Sequence, residues 1–181
     1  DLLCEKSRAV AQRLTKQDAP PRPPLRMILV TFIGAFTGMS LVALLETLYP
    51  TGWMLTLGSF GATAVLLYAI PGSALAQPRN LFGGHLVSAI AGIFVYHSIT
   101  PELFPAAPLA VALAIAFMQL TRTLHPPGGA TALIAVIGPQ SVHDLGWGYL
   151  VPVMAGVTLL FLAALLVHNI NERGTYPHYW G

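Results

Sequence analysis

Charge is what this sequence has least of. Only 9% of its 181 residues are Asp, Glu, Lys or Arg, against about 25% in an average soluble domain. A soluble fold of this size would lack the charge to cover its surface, and 55% of the chain is hydrophobic, with a mean hydropathy of +0.67. The composition therefore describes an integral membrane protein, read here as all-α. Cysteine is nearly absent, and Cys4 alone excludes an internal disulfide. The histidines (His85, His97, His125, His143, His168 and His178) fall in different segments without metal-ligand spacing, so no metal or cofactor is expected. Nor is a nucleophile–base pair legible, which argues against an enzyme, although folding could still bring two or three histidines together.

The few cations are unevenly placed. Lys6, Arg8, Arg13, Lys16, Arg22 and Arg26 precede the first long apolar stretch, and only Arg79, Arg122 and Arg173 follow. A basic segment beside a span reads either as lying on the cytoplasmic membrane surface or as a solvated tail. The expected organisation is a basic cytoplasmic segment over 1–24, a transmembrane domain over 25–170 and a cytoplasmic tail over 171–181.

Six apolar stretches are present: Met27 to Leu48, Trp53 to Ile70, Phe82 to Ile99, Ala106 to Leu120, Ala130 to Gly138 and Leu150 to His168. Trp53 and Trp147 near segment ends suit the membrane interface. Two stretches share a pattern. "GSFGATAVLLYAIPGS" (Gly58 to Ser73) and "HPPGGATALIAVIGPQS" (His125 to Ser141) align Gly61 with Gly129, Thr63 with Thr131 and Pro71 with Pro139. "LVSAIAGI" (Leu86 to Ile93) resembles "LVPVMAGV" (Leu150 to Val157), whereas the first spans do not align convincingly. The repetition predicts two units of three segments each. With the N-terminus inside and all six stretches crossing, every Lys and Arg falls on the cytoplasmic side, in accord with the positive-inside rule. A unit with three crossings inverts its successor, which is a recurring transporter plan.

Ala130 to Gly138 would rise about 14 Å at about 1.5 Å per residue, half a bilayer. The breaker "HPPGG" is then expected within the protein, where irregular backbone survives only if buried or lining a cavity. Prolines stop an arriving helix, and the N–H groups of Gly128, Gly129, Ala130 and Thr131 would point to the protein centre from a positive helix end. That is an anion site by construction, and the first unit offers Ser59, Gly61, Ala62 and Thr63 in the equivalent place. Arg79 and Asn80 in "QPRN" and Arg122 in "TRTLH" are expected to support it, although both arginines also read as topology anchors. His125 is either a structural cap or a donor or proton carrier, its unperturbed pKa lying near 6.5. His85 gives a weaker form of the same signal because it falls near the start of a span. Glu46 near the outer end of the first span fits coupling or snorkelling, while Gly34 and Gly38 fit close helix packing.

"HPPGGATAL", preceded by "GSFGATAVLL" and "AQPRNLFGGHLVSA", resembles the HPP family of integral membrane proteins over roughly Arg26 to Ile170. The closing "YPHYW" is similar to the ends of bacterial members, which implies a bacterial inner membrane. The resemblance implies a compact helical domain, usually described with four spans, and transport of nitrite as in plastid and cyanobacterial relatives. The four-span description conflicts with six crossings; short segments such as Ala130 to Gly138 escape hydropathy windows, so six is kept. The expected substrate-binding set is Ser59, Gly61, Thr63, Arg79, Asn80, Arg122, His125, Gly128, Gly129 and Thr131, taking nitrite or another small monovalent anion. The expected partners are that anion and the lipid bilayer, with self-association open and no nucleic acid. A non-transporting sensor or assembly module is the rival reading. It predicts a sealed centre between Gly61 and Gly129, where a transporter predicts a polar cavity.

Overall fold

Long uncharged tracts can satisfy their backbone in a membrane only as helices, and helices are what this chain forms. The structure is a computed structural model that describes residues 21–48, 57–99, 103–171 and 176–180. Lys6, Arg8, Arg13, Lys16, Trp53 and Arg173, with the roles assigned to them, lie outside the described residues. The elements are α1 (Leu25–Leu48), α2 (Leu57–Ala64, continued as a π-turn over Val65–Ala69), α3 (Pro78–Ser98), α4 (Leu103–Leu120), α5 (Pro127–Ile137), α6 (Gln140–His143) and α7 (Leu150–Asn171). Short 3₁₀ turns cover Ala74–Ala76 and Gly146–Tyr149. No strand occurs among the described residues.

By length and apolar composition, three of these can cross a membrane: α1, α3, and the stretch Gly146–Ile170 that contains α7. The other apolar helices, Gly58–Ala69, Phe104–Leu120 and Pro127–Ile137, are shorter. The expectation of six crossings thus meets three helices of full length and three short ones. α5, with 11 residues, rises about 16 Å.

α3 is the axis of the molecule. It packs against α4, α5 and α7 through one broad buried face that includes Gly84, His85, Ser88, Ala91, Gly92 and Val95, while Leu86, Ile90 and Phe94 stay exposed on the other face. On one side, Ala91 and Val95 meet the alanine face of α4 (Ala106, Ala107, Ala110, Ala114) and Ala132 of α5. On another, Ala89 and Ile93 meet Tyr149 and Val153. A third cluster joins α1, α2 and α7 through Val42, Phe60, Leu67, Tyr68 and Leu160. α1 touches the rest along a narrow seam, with Gly34, Gly38 and Val42 buried. Gly34 and Gly38 lie against the Tyr68 ring, where a Cβ would collide with it, so the packing role expected of them holds. The opposite face leaves Phe32 and Phe36 each 66% exposed, as suits a helix flanked by lipid.

α3 begins at Pro78, four residues ahead of the expected Phe82, because a proline at the first helical position forfeits no hydrogen bond. The same physics moves the start of α5 from Ala130 to Pro127.

The end of the described chain is fastened to the body. Tyr176 Oη donates to the Ala76 carbonyl at 2.7 Å, Asn169 Nδ2 donates to the Tyr176 carbonyl at 2.7 Å, and the His178 amide donates to Gln77 Oε1 at 2.8 Å. Burial holds the Tyr176 phenol above its ordinary value, so it remains a donor.

Candidate functional site

The two Gly-Ala-Thr-Ala segments meet at one histidine. Thr63 comes from the end of α2, His85 from two turns inside α3, Thr131 from the second turn of α5, and His125 from the loop ahead of α5. All four are fully buried. Thr63 Oγ1 lies 2.9 Å from His85 Nε2, and Thr131 Oγ1 lies 2.8 Å from His85 Nδ1. Thr63 and Thr131, equivalent in the repeat, therefore hold opposite nitrogens of a single ring. His125 Nε2 is 3.2 Å from Thr63 Oγ1, and its Nδ1 is 2.8 Å from the Leu75 carbonyl. The two imidazole centroids are 4.9 Å apart, and the Phe60 edge closes on His85 at 5.9 Å.

With both rings neutral, one proton pattern satisfies all four imidazole nitrogens. A carbonyl only accepts, so His125 Nδ1 carries the hydrogen and donates to Leu75. Its Nε2 then accepts, which makes the Thr63 hydroxyl the donor. His85 Nε2 must in turn donate to Thr63 Oγ1, leaving Nδ1 to accept from the Thr131 hydroxyl. This assignment follows from the network, as proton positions in such sites must. The Ser59 carbonyl, 3.0 Å from Thr63 Oγ1, is a competing acceptor for the same hydroxyl proton.

Absent side chains bring these residues together. A Cβ on Gly84 would collide with that of His125, and one on Gly83 with the Thr123 side chain. A Cβ on Gly128 would lie 2.6 Å from Ser88 Oγ and 2.9 Å from the Gly84 carbonyl, and one on Gly92 would lie 2.5 Å from the Ala132 carbonyl. Gly84, Ser88 and Gly92 thus form a small-residue seam at four-residue spacing, along which α5 and its leading loop press on α3. Asn80 Nδ2 donates to the Leu124 carbonyl at 2.8 Å and pins that loop. α4 ends with the Arg122 amide donating to Gln119 and the Thr123 amide to Met118, at 3.2 and 2.8 Å. This is a Schellman cap with Arg122 in the left-handed region, φ +57°.

Several expected features sit elsewhere. The Gly128 and Gly129 amides do not project into a cavity; they donate to the His125 and Pro126 carbonyls at 2.8 and 3.0 Å, because the helix already starts at Pro127. Gly61 and Gly129 are half-buried at the periphery, with open space beside Gly61 and only Val111, at 3.9 Å, beside Gly129. Arg79 and Arg122 are exposed on the rim rather than beside the centre, and Arg79 Nη2 donates to the Thr121 carbonyl at 3.3 Å. Ser59 is buried close to Thr63, as expected. Two surface clefts are described, and none of the four central residues lines either. Left out of the expected set was His85, the hub. Its signal was present: a histidine within an apolar span is a functional candidate by default, and the earlier helix start places it well inside. Ser88 was also missed. Its hydroxyl is buried beside Gly128 without a hydrogen-bond partner among the described residues. No group of three or more metal-ligating side chains occurs among the described residues.

The model of the HPP transmembrane region matches residues 20–177 of this sequence. The chain belongs to the HPP transmembrane family. Two transmembrane proteins of Dictyostelium discoideum are similar to this HPP chain over 91% of its length, one 40% identical over 172 residues and the other 39% over 171. The HPP chain spans 60% and 54% of their lengths. No solved structure matches it.

Proposed function

We propose that this HPP protein moves a small monovalent anion, nitrite foremost, across a membrane through the centre formed by Thr63, His85, Thr131 and His125. The observation that carries the reading is the bridge Thr63–His85–Thr131, which ties both Gly-Ala-Thr-Ala motifs to an ionisable ring inside an apolar domain. Ionisable groups at such depth are costly and mark transport paths in other membrane proteins. A bare anion in hydrocarbon costs tens of kcal/mol. Hydroxyl and imidazole N–H donors offset that cost, and those now spent on one another are the ones an arriving anion would take. Ser88 Oγ adds a donor with no described partner. The described state is then the closed one.

In the same reading α2 and α5 are half-spans in a six-segment plan of two inverted units. The N-terminus lies on the cytoplasmic side of a bacterial inner membrane, with Arg79 and Arg122 on that rim and the protein assembling with copies of itself. Nitrite is preferred because of the resemblance to plastid and cyanobacterial transporters, and the basic rim would concentrate anions by longer-range attraction. No catalytic step belongs to this reading.

One observation favours a second reading. The central polar groups satisfy one another so fully that a non-transporting sensor or assembly module would need nothing more. Nitrite uptake into proteoliposomes at two pH values separates the two, with protein-free vesicles subtracted because nitrous acid leaks unaided. Wild-type uptake above background, reduced at least about tenfold in His85→Ala and His125→Ala, supports transport; a tenfold loss corresponds to about 1.4 kcal/mol. Wild type equal to empty vesicles for nitrite and competing anions overturns it in favour of the sealed module.

A further inference from the structure

A cleft lies away from the histidine centre, and nothing in the proposed transport uses it. It has a volume of about 420 Å³, within the roughly 300–1,000 Å³ of ligand pockets. It opens between the start of α1, the end of α7, the π-turn of α2 and the fastened chain end. Met27, Val30, Val167 and Tyr68 give it apolar walls, Arg26 and His178 are its exposed basic and imidazole groups, and no carboxylate among the described residues lines it. The π-turn belongs to its architecture. The Leu67 carbonyl accepts from His168 Nε2 at 2.8 Å, and the Tyr68 carbonyl accepts from Thr31 Oγ1 at 2.9 Å. Local π-turns of this kind occur frequently at functional sites.

A cation at the mouth, apolar walls between two spans, and no opposing negative charge among the described lining residues together select an amphiphile with an anionic head. We propose that this cleft holds the phosphate headgroup of an anionic phospholipid against Arg26, with an acyl chain following the seam of α1 and α7. The charge pattern agrees: Arg22 precedes α1, Arg26 lies in its first turn, and no Asp or Glu occurs from Arg22 to Glu46. Basic pockets between spans bind such headgroups from the adjoining leaflet. The site is independent of the transport reading, because the lipid would stay bound whether or not an anion crosses.

The test is thermal unfolding of the full chain in neutral detergent with added dioleoyl-phosphatidylglycerol, dioleoyl-phosphatidylcholine or inorganic phosphate, with native mass spectrometry counting retained lipid. The two lipids share their chains, so only the head differs. At about 100 times the dissociation constant, bound phosphatidylglycerol should raise the midpoint by roughly 5–10 °C more than phosphatidylcholine. Arg26→Gln should lose that increment and the retained lipid while its response to phosphatidylcholine is unchanged. Arg122→Gln, an exposed cation outside the cleft, should keep both. Equal responses to the two lipids, an increment surviving Arg26→Gln, or one lost equally in Arg122→Gln would each overturn the proposal. Inorganic phosphate reproducing the whole increment would overturn it too, since the acyl chain would then be unnecessary.

Discussion

α2 and α5 carry the same Gly-Ala-Thr-Ala sequence and deliver it to the same histidine, yet they are embedded in opposite ways. α5 is locked at its start by Pro127 and pressed on α3, so that Gly128 has no room for a methyl group. α2 leaves Gly58, Ala62 and Val65 exposed, keeps open space beside Gly61, and ends in a π-turn whose carbonyls are taken by Thr31 and His168. What the two share is a buried threonine hydroxyl on His85; what differs is everything that holds it there. The shared chemistry resides in the threonine, and the motif glycines Gly61 and Gly129 are bystanders to packing. α5 is the more tightly packed partner, at Gly128, and α2 the more open one.

The sharpest break in that contrast is Gly128→Ala. The added methyl must displace the Gly84 backbone or Ser88, an overpacking cost of about 2–3 kcal/mol, seen as a large fall in the melting midpoint in detergent. Thr63→Val and Thr131→Val come next, at about 1–3 kcal/mol each, because a buried imidazole nitrogen loses its partner. Thr63→Val should cost more, since Thr63 serves both rings whereas Thr131 serves one. Equal melting shifts would show that the two halves are energetically alike after all. Smallest are Gly61→Ala and Gly129→Ala, for which a gain of up to about 0.5 kcal/mol is expected, since alanine is the better helix former where space is free. A loss as large as that of Gly128→Ala would mean that the motif glycines are packed in a conformation other than the one described.

Much of this was legible in the chain. Charge scarcity and breaker residues located the helices to within a few residues, and the internal repeat singled out Thr63 and Thr131 before their meeting point was known. Two kinds of error had physical causes. Prolines were read only as stopping an arriving helix, and α4 does end at Leu120, whereas Pro78 and Pro127 also begin helices, which moved both starts forward and gave the Gly128 and Gly129 amides carbonyl partners. Glycines were read as ligand cradles at Gly61 and Gly129, while those in tight contact were Gly83, Gly84, Gly92 and Gly128. Glycine density marks close approach without saying of what to what; only the pairing of α3 with α5 decides it. Arg79 and Arg122 were the least legible, because a cation at a span's end reads alike whether it faces the centre or the rim.

The 3₁₀ turn between α2 and α3 places consecutive residues in two services. The Leu75 carbonyl receives the proton of His125, while its neighbour Ala76 receives Tyr176 and Gln77 receives His178. The chain end and the buried centre are thus mounted on one short bracket with no slack between them. Tyr176 and His125 lean on adjacent carbonyls of the same turn, so displacing that backbone would disturb both attachments at once.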